Sequence, residues 1–172
     1  MKKEINGYVI EVDIDNDPES PREWNNLGTM ICFHGRYSLG DKHDYREPYD
    51  FEKELKQIRK NGVVLPLYLY DHSGITMSTK PFSCRWDSGQ VGYIYVTKET
   101  ILKEFGGKIL TKKLKENMIK HLICEVEVYD KYLRGEVYQF TIKKDNEIMD
   151  SCCGFYDEEE CILEAEGIVN CY

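Results

Sequence analysis

Strand-like runs in this chain come in neighbouring pairs separated by helix-period stretches, and that order restricts the fold more than any other feature. Alternation over Ile5–Ile14 predicts a strand, and the apolar run Gly28–His34 predicts a second, buried on both faces. A helix is expected from Asp50 to Asn61, then strands at Val63–Tyr70 and Gln90–Val96. Helices starting at Thr97 and Thr111 come next, then strands at Glu136–Lys143 and Glu147–Cys152, and a last helix after Asp157. The order is ββαββααββα. Parallel strands need a long crossover between each pair, whereas antiparallel strands need only a turn. The expected fold class is therefore α+β: a single globular domain over residues 1–172, with a mostly antiparallel sheet and helices packed on one face.

Local chemistry supports these elements. Asp50 stands at the start of the first helix, Lys56, Arg59 and Lys60 lie near its end, and Phe51, Leu55 and Ile58 form its apolar stripe. Gly62 is expected to end it in a left-handed conformation. Pro66 removes a donor from the third strand and marks an edge or a bulge. Leu114, Met118, Leu122, Val126, Tyr129 and Leu133 recur at steps of four and three, and Gly135 stops that helix. Lys144-Asp145-Asn146 reads as a hairpin turn. The acidic run Asp157–Glu160 reads as a capping box for a helix carrying Ile162, Leu163 and Ala165. Asp15–Asn26 and Arg36–Tyr49 read as loops, with Trp24 pinning the first to the body.

Charge narrows the partners. Thirty-one acidic against 23 basic residues leave −8, a surface that repels phosphate and argues against general nucleic-acid binding. The first residues read as a short alternating strand, not as an apolar secretory leader, and no stretch has the length of a membrane span, so no membrane partner is expected. Seven cysteines, an odd number without regular spacing, read as reduced thiols in a cytoplasmic protein. Thirteen tyrosines suit half-wet strands and also interfaces, so a homo-oligomer stays open.

The segment Asp71–Gly89 differs from the rest. It reads as a nineteen-residue connection, and structureless connections of that length tend to be functional. It is rich in hydroxyls (Ser73, Thr76, Ser78, Thr79, Ser83, Ser88) that bond locally to backbone. Ile75, Met77, Phe82 and Trp86 are expected to anchor it, with Phe82 and Trp86 mostly buried and His72, Lys80 and Arg85 at the surface. One account is a well-packed loop with no role of its own. As a binding surface it would use Asp71, His72, Ser73, Thr76, Arg85, Trp86 and Asp87. As a small-ligand pocket it would hold a nucleotide-like molecule near Tyr70, Arg85 and Trp86. As a hydrolase site it would use His72 as base, Cys84 or Ser73 as nucleophile and Asp71 or Asp87 as orienter. His72 and Cys84 are expected more than about 8 Å apart, too far for direct proton transfer.

Metal ligation finds only scattered candidates, His34, Asp41, His43 and His72, and Cys152-Cys153 with Cys161, none at structural-zinc spacing; such histidines more commonly cap turns. No glycine-rich phosphate cradle occurs. No metal or cofactor is expected.

Three blocks carry a resemblance. They are Asn26–Met30 with Phe33-His34 and Leu39-Gly40-Asp41; Leu65–Tyr68 through His72-Ser73-Gly74 to Trp86–Gly92; and Tyr129-Asp130, Tyr132-Leu133 and Gly135 leading to Asp150-Ser151-Cys152 and Gly154-Phe155-Tyr156. Together they resemble a widespread group of small proteins from bacteriophages, prophages and mobile elements that carries no assigned activity. Cys153 and Arg85 stand where the group suggests an aromatic residue and a proline. The resemblance implies an accessory protein that binds and modulates a host protein, with a defence component as the natural target. It carries over no functional residue.

Overall fold

A computed structural model describes all residues, Met1–Tyr172. In chain order the elements are β1 (Lys2–Ile5), β2 (Tyr8–Ile14), β3 (Thr29–Cys32), α1 (Pro48–Asn61), β4 (Val63–Asp71), β5 (Ile75–Ser78), β6 (Ser88–Val96), α2 (Lys98–Phe105), α3 (Lys112–Leu133), β7 (Tyr138–Lys144), β8 (Glu147–Phe155) and α4 (Glu158–Val169). The class is α+β, and every strand pair is antiparallel. The strands divide between two four-stranded sheets, β1-β2-β7-β8 and β3-β6-β4-β5, where the sequence suggested one. The chain correspondingly forms two compact units, residues 1–20 with 131–172, and residues 21–130.

In the first unit α4 covers one face of its sheet. Tyr8, Ile10 and Val12 of β2 and Phe140 and Ile142 of β7 alternate onto that face and meet Cys161, Ala165 and Val169 of α4. Burying each large apolar side chain contributes on the order of 1.5–3 kcal/mol. The first expected strand is in fact a hairpin. Asn6 and Gly7, at φ 54° and 78°, form a two-residue turn between Ile5 and Tyr8; both positions need positive φ, which Asn and Gly tolerate best. Asp145 and Asn146 make the second such turn, at φ 51° and 68°. Asp157 caps α4, its carboxylate accepting from the Glu159 and Glu160 amides at 3.0 and 3.2 Å. Leu163, expected in the apolar stripe, is 66% exposed.

In the second unit Phe51, Leu55 and Ile58 of α1 pack on Ile31 and Tyr95, and α3 buries Met118, Leu122, Val126 and Tyr129. Thr97 caps α2 through the Thr100 amide, and Thr111 caps α3 through the Leu114 amide, each at 3.2 Å. α1 starts at Pro48, two residues before the expected Asp50, whose carboxylate instead reaches back to the Arg46 and Glu47 amides. Gly62 ends α1 in extended backbone, φ −114°, contrary to the left-handed stop expected. A glycine is needed there for space, since a Cβ would sit 2.4 Å from the Val96 carbonyl oxygen. Pro66 lies in the half of β4 that β5 does not cover, next to a bulge between Leu67 and Tyr68. No helix is long and apolar enough to cross a membrane.

Candidate functional site

The segment Asp71–Gly89 is partly regular, with strand at both its ends and over Ile75–Ser78, against the expectation of a wholly structureless loop. β4 runs on to Asp71, β5 occupies Ile75–Ser78, and β6 begins at Ser88. Between β4 and β5 the chain turns at His72-Ser73-Gly74, with Ser73 at φ 59° and the His72 amide donating to the Gly74 carbonyl at 3.0 Å. Met77 is buried, and its amide donates to the Asp130 carboxylate on α3 at 2.7 Å. Local bonds also fix the irregular residues before β6. The Ser88 hydroxyl donates to the Cys84 carbonyl, the Cys84 thiol donates to the Asp87 carboxylate at 3.4 Å, and the Asp71 amide donates to the Asp87 carbonyl at 2.8 Å.

The turn so closed presents its largest side chain outward. Trp86 is 96% exposed, where the sequence suggested a buried anchor. The physical reason lies in the bonds just named: they close residues 84–88 through backbone and short side chains, so the indole is not needed to hold the turn. Anchoring falls to Met77 and to half-buried Phe82, whose ring lies 5.7 Å from that of Tyr70. His72, Lys80 and Arg85 reach the surface as expected.

Beside Trp86 runs an open groove of about 400 Å³, lined by Phe33, His34, Leu69, Asp87 and Gln90 among others. The Asp71 carboxylate at its rim takes Arg36 at 3.0 Å and the Tyr37 hydroxyl at 3.2 Å. His34 stacks on Tyr37 at 5.1 Å, and its Nδ1 accepts from the Arg36 and Tyr37 amides at 3.3 Å; this histidine caps a turn. Of the seven binding candidates, Asp71, Trp86 and Asp87 line the groove. His72 leans on Asp87 at 3.5 Å, Arg85 is exposed beside Trp86, Ser73 sits at the tip of the turn, and Thr76 lies on β5 opposite Tyr70.

The hydrolase set is closer together than expected and wrongly ordered. His72 Nδ1 and Cys84 Sγ approach the same Asp87 oxygen, at 3.5 and 3.4 Å, so they lie no more than about 7 Å apart. Both contacts fall on the one carboxylate. The thiol gives its hydrogen bond to Asp87, and the imidazole, 62% exposed, has no bond to the thiol that general-base activation needs. The scattered metal candidates do not converge, since no three His, Cys, Asp or Glu side chains gather closely enough to hold an ion. Asp41 is clamped by Arg22, and His43 Nε2 meets the Cys32 carbonyl at 2.9 Å.

Sequence reasoning missed a buried ion network in the same unit. Arg22, with its side chain 4% exposed, meets Asp41 at 2.8 Å and Glu125 at 3.0 Å and donates to the Gly28 carbonyl at 2.7 Å. Glu125 also accepts from the Leu27 and Gly28 amides, at 3.1 and 2.9 Å, and pairs with His121 at 3.2 Å. Asp41 accepts from the Met30 amide at 2.8 Å. Through these bonds the stretch from Arg22 to Gly28 is tied to α3 and, through Asp41, to β3. Burial pushes the Cys32 thiol beside this network up to about 12.

Comparison with known proteins returned no match: no family model, no curated protein and no solved structure matches the chain.

Proposed function

We propose that this chain is a binding protein whose docking surface is built on Trp86 and Arg85, with the neighbouring groove and the His34–Tyr37 turn as its flank. The observation that carries this reading is a fully exposed indole on a tightly bonded turn. Leaving that much apolar area in water is unfavourable, and an ordered Trp beside an Arg has the composition of an interface hot spot. A rigid platform also lowers the ordering cost that association must overcome. A nucleotide-like ligand finds less support, because Asp71 and Asp87 put two carboxylates in the groove and repel phosphate. Following the resemblance to phage and mobile-element proteins, the partner is a host protein in the cytoplasm, with a defence component as the first candidate.

The test is capture from host lysate on immobilised wild-type, Trp86→Ala and Arg85→Glu chains, each checked for an unchanged melting temperature. The expected result is one protein retained by the wild type and lost from both variants. Equal retention by all three would remove this surface as the docking site.

A further inference from the structure

We propose that the partner docks by adding an extended, lysine- or arginine-bearing segment to the free edge of β6 beside Trp86; this rests on the Trp86 surface being the docking site. β3 pairs with β6 only from Tyr95 to Gly92, and its last bond runs from the Phe33 amide to the Val91 carbonyl at 2.7 Å. Beyond that point the chain departs through His34-Gly35 while β6 continues as Gln90, Gly89 and Ser88. The groove lies in this split, with buried Leu69 on its wall. On the other edge of β6 the Asp71 amide donates to the Asp87 carbonyl. Antiparallel ladders alternate, so the backbone N–H and C=O of Ser88 and Gln90 face away from β4 and into the groove. They form a short template for one more strand.

The two edge strands of the other sheet are guarded. β8 carries register shifts opposite Tyr138–Phe140 and Ile142–Lys143, and β1 is four residues long and opens with Lys2-Lys3. Bulges and edge lysines both discourage strand addition. The β6 edge carries no lysine, and its one register shift, at Val91 opposite Leu67 and Tyr68, falls at the inner end of the split and leaves Ser88–Gln90 in regular register.

Charge selects the added segment. Asp71 already holds Arg36, but Asp87, 37% exposed, meets only a thiol and an imidazole. An alternating strand lying on β6 would set a cationic side chain beside this carboxylate and across the face of Trp86, where Coulomb and cation–π attraction act together.

The probe is an acetylated, amidated eight-residue peptide of alternating Val and Lys, titrated into the whole 15N-labelled chain, with the Val–Glu peptide as its opposite. Saturable shifts are expected at the Ser88 and Gln90 amides and the Trp86 indole, with a Kd on the order of 1 mM or tighter and at least about tenfold weaker binding of the Val–Glu peptide. Gln90→Pro deletes one groove-facing donor at a free edge, where proline is tolerated; with the rest of the spectrum preserved it should weaken binding about tenfold. No saturable shift at these groups, equal binding of the two peptides, or unaffected binding by Gln90→Pro would each overturn strand addition. If lysate capture depends on Trp86 yet ignores Gln90→Pro, strand addition alone fails; if capture ignores Trp86, the docking surface itself fails.

Discussion

Replacing Glu125 with alanine should destabilise the second unit more than any surface change, and the cost follows from four bonds. The Glu125 side chain is 8% exposed and receives the Leu27 and Gly28 amides, Arg22 Nη1 and His121 Nε2. Deletion leaves two backbone donors, one on buried Gly28 and one on half-buried Leu27, without acceptors, about 1–3 kcal/mol each with Leu27 at the low end, and removes a charge-assisted bond from Arg22. Arg22 keeps Asp41, at 2.8 and 2.9 Å, which limits the loss. His121 is half exposed and contributes little. The total is about 3–5 kcal/mol, as for breaking a buried pair. In a chain of this length that lowers the unfolding midpoint by on the order of 10 °C. Urea titration followed by circular dichroism gives the value directly. Glu125→Gln retains an acceptor for the two amides while losing the charge, and should cost about half as much. A loss below about 1 kcal/mol for Glu125→Ala, or equal losses for Ala and Gln, would refute this bond-by-bond account.

Asp157→Ala should cost about 1 kcal/mol, because the Glu159 and Glu160 amides lose their common acceptor; an unchanged urea midpoint would count against the cap. Trp86→Ala should leave stability within about 0.5 kcal/mol of wild type, since an exposed ring has little packing to lose, and a clear drop in midpoint would mean that the indole anchors the turn. Thiol titration of the native chain near neutral pH should find Cys124, Cys152, Cys153 and Cys171 reactive and buried Cys32 and Cys161 protected, with close to seven thiols counted after denaturation; fast native reaction at Cys32 or Cys161 would contradict their burial. Burial raises both thiols above the ordinary 9.0, Cys32 to about 12 and Cys161 to about 11. The folded chain therefore holds these protons longer than the unfolded one. Their contribution to stability is complete below about pH 9 and is lost as pH rises from there toward 11 and 12; a midpoint that climbs over that window would contradict the assignment.

The helices were legible because their signals are local. Thr97, Thr111 and Asp157 cap as their positions suggested, and the α3 stripe from Met118 to Tyr129 buries the face that its spacing marks. Strand boundaries were less so. The Asn6-Gly7 turn hides inside a run whose alternation continues across it, and β5 is only four residues within a hydroxyl-rich tract. Arg22 was illegible for a different reason: its partners stand 19 and 103 residues away, so its burial is decided by tertiary structure alone. The exposure of Trp86 was misjudged because large aromatic residues usually anchor loops, and only the bonds among Cys84, Asp87 and Ser88 reveal that this turn needs no anchor.

The docking surface is tested most directly by placing a photo-crosslinking residue at position 89 in cells, which keeps Trp86 intact: Gly89 is exposed, lines the groove beside Trp86 and has room for an added side chain. Position 49 is the control, since Tyr49 is 79% exposed and does not line the groove. A single protein adduct formed at position 89 and absent at position 49 is the expected result. No adduct at 89, or the same adducts from both positions, would contradict the assignment of the Trp86 surface.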